Sequence, residues 1–203
     1  MCGRSCAALR ARLAEAGFAG SALPDSPLGL ASKTVRVVPY RSEWRELFDE
    51  ENARLKAVFE QAGIEARIEH TGSTAIPGVP AKPILDILIG YPDADNRRRA
   101  VDALKAAGYE YRGESGIPGR DFFRRGDPRS YHVHLCQLGG PFWVEHQRFR
   151  DYLLTHTNVA REYGDLKLRL AEEFPFDRES YINGKGEFVH HVLRMAEAEE
   201  QEK

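Results

Sequence analysis

Hydrophobic residues recur at helical spacing in the segment that follows Ser42. The apolar positions are Trp44, Leu47, Phe48, Leu55, Val58 and Phe59. This spacing places them on one face of a helix, with Ser42 as its N-cap and Gly63 beyond its end. The pattern predicts an amphipathic helix from residue 42 to about residue 61, with its apolar face packed on a core.

A shorter run, residues 84–89, is almost continuously apolar and is bounded by Pro83 and Gly90. A run of this length predicts a strand that is buried on both faces, in the interior of a sheet. Asp86 is the one polar residue within it. We expect this strand to lie beside the one that carries His132 and His134, with Asp86 facing a cleft.

The rest of the pattern predicts further strands and helices around this central strand. Strands are predicted at residues 35–38, 66–69, 109–111, 121–124 and 131–137, and helices at residues 93–107, 143–155, 158–174 and 178–198. This order predicts an α+β fold, in which a mixed β-sheet is flanked by helices and followed by a helical C-terminal part.

The first 32 residues differ in character from the rest of the chain. Residues 7–16 have a short helical pattern, whereas residues 21–30 are rich in Pro, Gly and Ser, which is typical of a linker. The chain of 203 residues is long enough for one substantial core. We predict an N-terminal appendage at residues 1–32 and a single domain at residues 33–198.

Charge and composition narrow the class of partner. The formal net charge of −2 argues against a generic nucleic-acid-binding surface, which needs a basic excess, although local clusters can still bind phosphate. No apolar run approaches the roughly 20 residues of a membrane helix. We therefore expect a small-molecule or nucleotide ligand, and neither a generic nucleic-acid partner nor a membrane.

Cysteine usage is typical of a reduced chain. Cys2, Cys6 and Cys136 form neither a disulfide framework nor a complete zinc pattern. The N-terminus also lacks the apolar segment of a signal peptide, so we expect a cytoplasmic protein.

Asp86 is the first candidate for chemistry. Burying an ionised carboxylate without a partner costs several kcal/mol. Four environments are open to Asp86: it points outward at a strand end, pairs with a cation, binds a metal or is hydrogen-bonded in the core. Contact with a metal or another cation is the favoured interpretation.

Upstream of Asp86 lies a run of small residues, Gly72, Ser73 and Thr74. Their backbone amides would suit an anion such as phosphate or sulfate.

The order of a strand, a Gly-Ser turn and an Asp-bearing strand resembles the nucleotidyltransferase superfamily. The stretch from Ile68 to Leu88 resembles the signature of the GrpB family in particular. Further matching segments are residues 38–40 with Trp44, the His132-x-His134 strand, residues 149–153 and residues 181–188. The resemblance covers about residues 35–195. It implies a nucleotidyltransferase fold that binds ATP or another nucleoside triphosphate with a divalent metal, Mg²⁺ or Mn²⁺.

One position departs from the active superfamily pattern. A second carboxylate is expected two residues after Asp86, and Leu88 stands there, whereas two-metal catalysis needs bridging carboxylates. Glu69, His132 or His134 are the candidates for the missing ligands, since residues two apart on a strand share a face. A set of one Asp and two His suits Zn²⁺, Mn²⁺ or Fe²⁺ better than Mg²⁺. The same set also fits a metal-free site in which one His is the general base. A third alternative is that both histidines are hydrogen-bonded residues of the core.

Positive charge surrounds these residues in the sequence. Lys82 precedes Asp86, and Arg120, Arg124, Arg125 and Arg129 precede His132, while Lys167 and Lys185 lie on predicted helices. Such side chains either clamp phosphates or point into solvent. Lys82, Arg124 and Lys185 are, with Gly72, Ser73 and Thr74, the candidate nucleotide- or anion-binding residues.

Three functions remain open at this point. In the first, Asp86, His132 and His134 act in a cleft where a nucleotidyl group is moved to a small-molecule hydroxyl or amine, or ATP activates a carboxylate. In the second, the same cleft binds a ligand or partner without catalysis, which the absence of a second carboxylate favours. The third is a metal-dependent hydrolase or lyase built on the same three residues.

Overall fold

The computed structural model describes residues 26–31 and 34–202. Within them, five strands form one sheet in the order β1-β2-β5-β4-β3. The strands are β1 (Arg67–Thr71), β2 (Leu85–Tyr91), β3 (Glu110–Tyr111), β4 (Arg120–Arg125) and β5 (Tyr131–Gln137). Strands β2 and β5 pair in parallel, whereas all other neighbours are antiparallel, so the predicted mixed sheet is confirmed.

Six α-helices surround the sheet in the described part of the chain. They are α1 (Glu43–Gln61), α2 (Ala94–Ala106), α3 (Pro141–Thr155), α4 (Thr157–Glu173), α5 (Arg178–Asn183) and α6 (Gly186–Gln201). A one-turn 3₁₀ helix, Ser73–Ala75, follows β1. The predicted α+β architecture with a helical C-terminal part is confirmed. No helix of residues 26–31 and 34–202 is long and apolar enough to cross a membrane.

The two faces of the sheet have different roles. One face packs its apolar side chains, among them Ile87, Ile89 and Val133, against α1 and α2 in the main core. The opposite face carries Asp86, Leu88, His132, His134 and Phe122, which alternate with the core residues along their strands; we call it the site face. The C-terminal helices α3, α4 and α6 pack together around the chain that follows the 3₁₀ turn.

Two predicted elements differ in the structure. The predicted helix 178–198 is two helices, because the chain breaks at Gly184 and Lys185. A Cβ on Gly184 would lie 2.5 Å from Leu170 Cδ2, so the break fits tightly against α4. The predicted strand at 35–38 is a single bridge between Val38 and Ala81.

The described part of the predicted appendage packs on the domain. Leu28 and Leu30 are buried, Trp44 Nε1 donates to the carbonyl of Pro27, and Leu30 bridges to Arg129. The folded unit therefore includes residues 26–31. Cys2, Cys6 and the predicted helix at 7–16 lie outside the described residues.

Candidate active site on the sheet

Asp86 lies on β2 with both predicted histidines beside it. His132 is its register partner on β5, and His134 is two residues further along the same face. His132 Nδ1 lies 3.2 Å and His134 Nε2 lies 3.4 Å from Asp86 Oδ1. The expected cluster of the three side chains is thus confirmed. The Asp86 side chain keeps 31% of its exposure, so solvent and ligands can reach the carboxylate.

The two imidazoles determine the charge state of Asp86. Burial alone would raise the pKa of the carboxyl, but hydrogen bonds and charge from His132 and His134 hold it below its ordinary value. Burial lowers the pKa of His132, and Asp86 opposes this effect. The carboxylate is therefore charged at neutral pH and orients both rings.

Gly72 brings the Gly-Ser turn directly against Asp86. Its φ of +70° lies in the left-handed region, and a Cβ there would lie 2.6 Å from Asp86 Oδ2. Glycine is required at this position for both its backbone conformation and its size. Ser73 then begins the 3₁₀ turn and contacts Tyr163 of α4. Burial raises the pKa of Tyr163 to about 12, and the contact with Ser73 partly opposes this rise.

Thr74 is buried and serves as an anchor for this turn. His70 Nε2 lies 3.0 Å from Thr74 Oγ1, and the His70 ring stacks on Phe48 of α1 with 4.5 Å between ring centroids. Burial lowers the pKa of His70 to about 4, so the ring is neutral at physiological pH. The sequence did not single out His70, which the structure identifies as the side chain that positions the turn.

The position of the missing carboxylate is apolar and closed. Leu88 is fully buried and packs with Cys136 and Trp143. Glu69, its register partner on β1, is paired with Arg67 at 2.8 Å and with Arg150 at 3.0 Å. In the described ranges, no group of three or more His, Cys, Asp and Glu side chains could hold a metal ion. The side chains present do not fit a two-metal centre.

Three lysines feel the charge of Asp86: Lys82 in the loop before β2, Lys167 on α4 and Lys185 just before α6. Lys167 of α4 is 2% exposed, and its Nζ has no hydrogen-bond partner. The Nζ atoms of Lys82 and Lys185 lie 4.7 Å and 4.6 Å from the centroid of the Tyr181 ring. None of the three forms an ion pair with a carboxylate among the described residues, and the charge of Asp86 reaches all of them.

Burial and mutual repulsion perturb these lysines strongly. Burial, reinforced by the charge of Lys185, lowers the pKa of Lys82 to about 8. Burial likewise lowers the pKa of Lys185 to about 8, and it lowers that of Lys167 well below its ordinary value. The sequence pattern favours Lys82 over Lys167 as an anion-binding residue, although Lys167 is the most buried of the three lysines. Only the packing of α4 against the site reveals its position.

Arg124, the remaining candidate, lies at the edge of the site face. It is the register partner of His132, and its Nη2 donates to Glu110 Oε2 at 2.9 Å. Its Nε is buried without a partner. The guanidinium is therefore partly engaged by Glu110.

The site lies on a mixed sheet flanked by helices, with a Gly-Ser turn after its first strand and an aspartate on its second, and this arrangement defines an α+β protein. The profile described as GrpB protein matches residues 34–195. This chain belongs to the GrpB family.

Several relatives agree with this assignment. The chain is 42% identical over 158 residues to UPF0157 protein YqkA of Bacillus subtilis, covering 77% of this chain and 46% of that protein. It is 36% identical over 172 residues to glutamate-rich protein GrpB of Alkalihalophilus pseudofirmus, covering 82% of this chain and 98% of that protein. It thus spans less than half of YqkA but nearly all of the second relative.

A solved structure of a family member gives the same result for the fold. The crystal structure of conserved protein GrpB from Enterococcus faecalis has a TM-score of 0.71 at 33% identity, covering 79% of this chain and 96% of that chain. A structure of Cid1 in complex with its short product ApU has a TM-score of 0.44 at 14% identity, covering 66% and 43%.

Proposed function

We propose that the cleft above Asp86 binds the polyphosphate of a nucleoside triphosphate such as ATP. The observation that carries this proposal is the cluster of Lys82, Lys167 and Lys185 without a carboxylate partner. Lys167 is buried without a hydrogen-bond partner, and Lys82 and Lys185 are half-buried without a carboxylate partner, so the cluster is suited to a ligand with several negative charges. The Gly72–Ser73 turn supports the phosphates on the opposite side.

The geometry also supports transfer of the nucleotidyl group to a second molecule. Asp86 holds Nδ1 of His132, while Nε2 of the same ring is buried without a partner. In the proposed step, a hydroxyl oxygen of the acceptor bonds to the α-phosphorus and the bond from phosphorus to pyrophosphate breaks. The hydroxyl proton passes to His132 Nε2, whose ring Asp86 orients and stabilises as it becomes charged. Pyrophosphate leaves with the bonding electron pair.

A divalent ion fits this site only as part of the nucleotide complex. Mg²⁺ usually binds to one or two carboxylates together with substrate phosphates, and Asp86 is the carboxylate that faces the cleft. Mn²⁺ or Zn²⁺ would also accept the imidazoles of His132 and His134. Such an ion would neutralise part of the negative charge of the phosphates.

The first experiment tests the lysine cluster by calorimetric titration with a non-hydrolysable ATP analogue and with tripolyphosphate. Lys167→Met should weaken both ligands by about tenfold or more, since a charge-assisted contact is lost. Lys56→Met, at an exposed position on α1, is the matched control and should leave both affinities unchanged. Equal affinities for wild type and Lys167→Met would contradict the proposal.

The second experiment separates catalysis from binding through Asp86→Asn. The asparagine keeps the shape of the side chain but not the charge that orients His132. We expect nucleotidyl transfer, assayed by pyrophosphate release with pooled small-molecule acceptors, to fall by about a hundredfold or more. Melting temperature and ligand affinity are measured in parallel, with and without Mg²⁺ or Mn²⁺. Metal-dependent binding that disappears in the variant supports an enzyme.

A binding module without catalysis is the second candidate, and buried Leu88 is the observation that favours it. Asp86→Asn should then leave ligand affinity equal or tighter, because a negative charge is removed from the anion site. A third outcome, Zn²⁺ or Fe²⁺ found stoichiometrically in the purified protein by elemental analysis, would instead favour a metal-dependent hydrolase or lyase at Asp86, His132 and His134.

A further inference from the structure

Arg120 is a buried arginine at the start of β4, and it is 6% exposed. Its Nη2 donates to the carbonyl of Glu114 at 2.7 Å and to that of Ser115 at 3.1 Å. The guanidinium lies 4.8 Å from the ring centroid of Phe122 and 5.7 Å from that of Phe142. Among residues 26–31 and 34–202 it forms no ion pair with a carboxylate. Backbone carbonyls and aromatic rings therefore hold this guanidinium in place.

The other terminal nitrogen of Arg120 faces His134. Arg120 Nη1 lies 3.4 Å from His134 Nδ1. A guanidinium has N–H donors and no acceptor, so Arg120 donates and His134 Nδ1 accepts. An imidazole nitrogen that accepts a hydrogen bond carries no proton. Nδ1 is therefore the unprotonated nitrogen of this ring.

The opposite side of the His134 ring gives the same result. His134 Nε2 lies 3.4 Å from Asp86 Oδ1. An ionised carboxylate only accepts hydrogen bonds, so Nε2 carries the proton and donates to Asp86. Arg120 and Asp86 thus select one and the same tautomer, in which Nε2 is protonated and Nδ1 is not.

His132 has the opposite tautomer. Its Nδ1 lies 3.2 Å from Asp86 Oδ1 and donates to this oxygen. Its Nε2 therefore has the lone pair, and this atom is buried without a partner. The lone pair of His134, in contrast, is used by Arg120. Only His132 is left with a lone pair that can take a proton from a ligand.

The surroundings of His134 are the reverse of those of a metal-binding histidine. Such a histidine presents an unprotonated nitrogen to the metal and donates its other N–H to an acceptor, such as a carboxylate or a carbonyl. At His134 the nitrogen that faces Asp86 is protonated, and the group behind the other nitrogen is the donor Arg120. Zn²⁺ and Mn²⁺ accept imidazole ligands in general. They could use His134 Nε2 only if its proton moved to Nδ1, toward the guanidinium.

We infer that Arg120 determines the metal specificity of this site, because it holds His134 in the tautomer that donates to Asp86 and so keeps Zn²⁺ and similar ions off this ring. Asp86 and the phosphates of a bound nucleotide remain as ligands for Mg²⁺, which prefers oxygen. The nucleotide in this statement rests on the proposed function, whereas the tautomer and the exclusion of Zn²⁺ rest on the hydrogen bonds.

The first test is NMR spectroscopy of the full chain labelled with ¹⁵N, at about pH 8, where an ordinary histidine is neutral. Long-range couplings within each imidazole show which ring nitrogen carries the proton. His132→Asn and His134→Asn assign the two rings by the signals that they remove. Wild type should have a protonated Nε2 at His134 and a protonated Nδ1 at His132. A protonated Nδ1 at His134 would overturn the inference.

The second test is a calorimetric titration of Zn²⁺ without nucleotide. Wild type and His134→Asn should bind Zn²⁺ with the same affinity, because His134 is not a ligand. Arg120→Gln replaces the donor with an amide oxygen that can accept from Nδ1, so Zn²⁺ should bind about tenfold tighter or more. Adding His134→Asn to this variant should remove the gain. Arg120→Met is the matched control, since it removes the same charge without offering an acceptor, and it should gain less.

Two results of the titration would overturn the inference outright: weaker Zn²⁺ binding by His134→Asn than by wild type, and no gain in Arg120→Gln. Equal gains in Arg120→Gln and Arg120→Met would assign the effect to charge and overturn the role of the tautomer. If the Arg120 variants do not fold, the ring spectra and the comparison of wild type with His134→Asn still decide. Failure of the ATP analogue to bind would contradict the proposed function and leave these results unaffected.

Discussion

Asp86 stays ionised in an apolar strand because its neighbours compensate its charge. The two imidazoles offset the cost of burial, and the closely packed Gly72 leaves room for the carboxylate. The situation differs at Lys167, whose buried Nζ has no hydrogen-bond partner and whose pKa burial lowers well below its ordinary value. The chemistry of this site is therefore a property of adjacent groups, and each group can be tested by a substitution.

Gly72→Ala should displace the Asp86 carboxylate. The new methyl group would overlap Asp86 Oδ2, and the backbone would be strained at φ +70°. Gly78→Ala is the matched control, since its φ of +80° imposes similar strain but nothing lies within 4 Å of a Cβ. In urea denaturation we expect Gly72→Ala to cost about 1–3 kcal/mol more than the control. It should also weaken binding of the ATP analogue, and equal behaviour of the two variants would contradict the contact.

Anion binding should weaken as pH rises through the pKa of the lysines. Lys82 and Lys185, with pKa values of about 8, lose their charge over this range in the free protein. Calorimetry from about pH 7 to about pH 9 should show falling affinity for the ATP analogue, with a smaller change in Lys185→Met. A flat profile would contradict this assignment.

The free protein should show the opposite trend in stability. The unfolded chain, in which lysine has its ordinary pKa, binds more protons than the folded chain above about pH 8. The unfolding free energy contributed by Lys82 and Lys185 therefore increases with pH through this window. The other charges that face Lys82 are Asp86, Arg129 and Arg178. Urea denaturation of wild type and Lys185→Met at several pH values measures this contribution.

At the scale of elements, ion pairs fix the helices on the sheet. Arg97 of α2 binds Asp121 of β4 through two hydrogen bonds of 2.7 Å and 3.0 Å, and the Asp121 side chain is 1% exposed. Tyr111 of β3 also donates to this carboxylate at 2.7 Å. The sequence predicted α2 from its periodicity but gave no sign of this contact, because Arg97 stands in a run of three arginines.

Arg97→Gln should destabilise the fold much more than the adjacent Arg98→Gln. Removing the guanidinium leaves a buried carboxylate poorly compensated, at a cost of about 1–3 kcal/mol after allowing for the partial exposure of Arg97. Arg98 is 76% exposed and pairs with Asp95, so its loss should cost less than about 1 kcal/mol. Chemical denaturation of both variants checks the difference.

At the scale of the whole molecule, the chain before α1 closes one side of the domain. Gly29 N donates to the carbonyl of Pro83 at 2.8 Å, and Leu30 N donates to that of Arg129 at 3.0 Å. Residues 26–31 thus contact the loop before β2 and the turn before β5, the two segments that carry Lys82 and Arg129.

Leu28→Ala should therefore destabilise the domain by about 2–3 kcal/mol, as expected for a core leucine. Its side chain is 6% exposed and belongs to the main core. Leu154→Ala on α3, where the leucine is 43% exposed, is the control and should cost well under 1 kcal/mol. Similar melting curves for the two variants would show that residues 26–31 are an appendage after all.

The sequence by itself predicted the α+β class, the helix α1, the buried strand β2 and the nearness of Asp86 to His132 and His134. These features follow from local periodicity, from a polar residue that interrupts an apolar run and from motif order, and all three are encoded in contiguous residues. The break at Gly184 was missed because the helical pattern continues on both sides of it.

Tertiary structure decided which charged residues matter. Lys167 occupies an unremarkable position in the sequence, and it comes close to Asp86 only because α4 packs against the site. His70 anchors the Gly-Ser turn only because β1 brings it against Thr74 and Phe48. Burial and pairing depend on residues far apart in the chain, so local pattern cannot separate Lys167, buried and unpaired, from an exposed lysine such as Lys56. The same is true of Leu28, whose segment has the composition of a linker but is held by contacts with α1 and with the turn before β5.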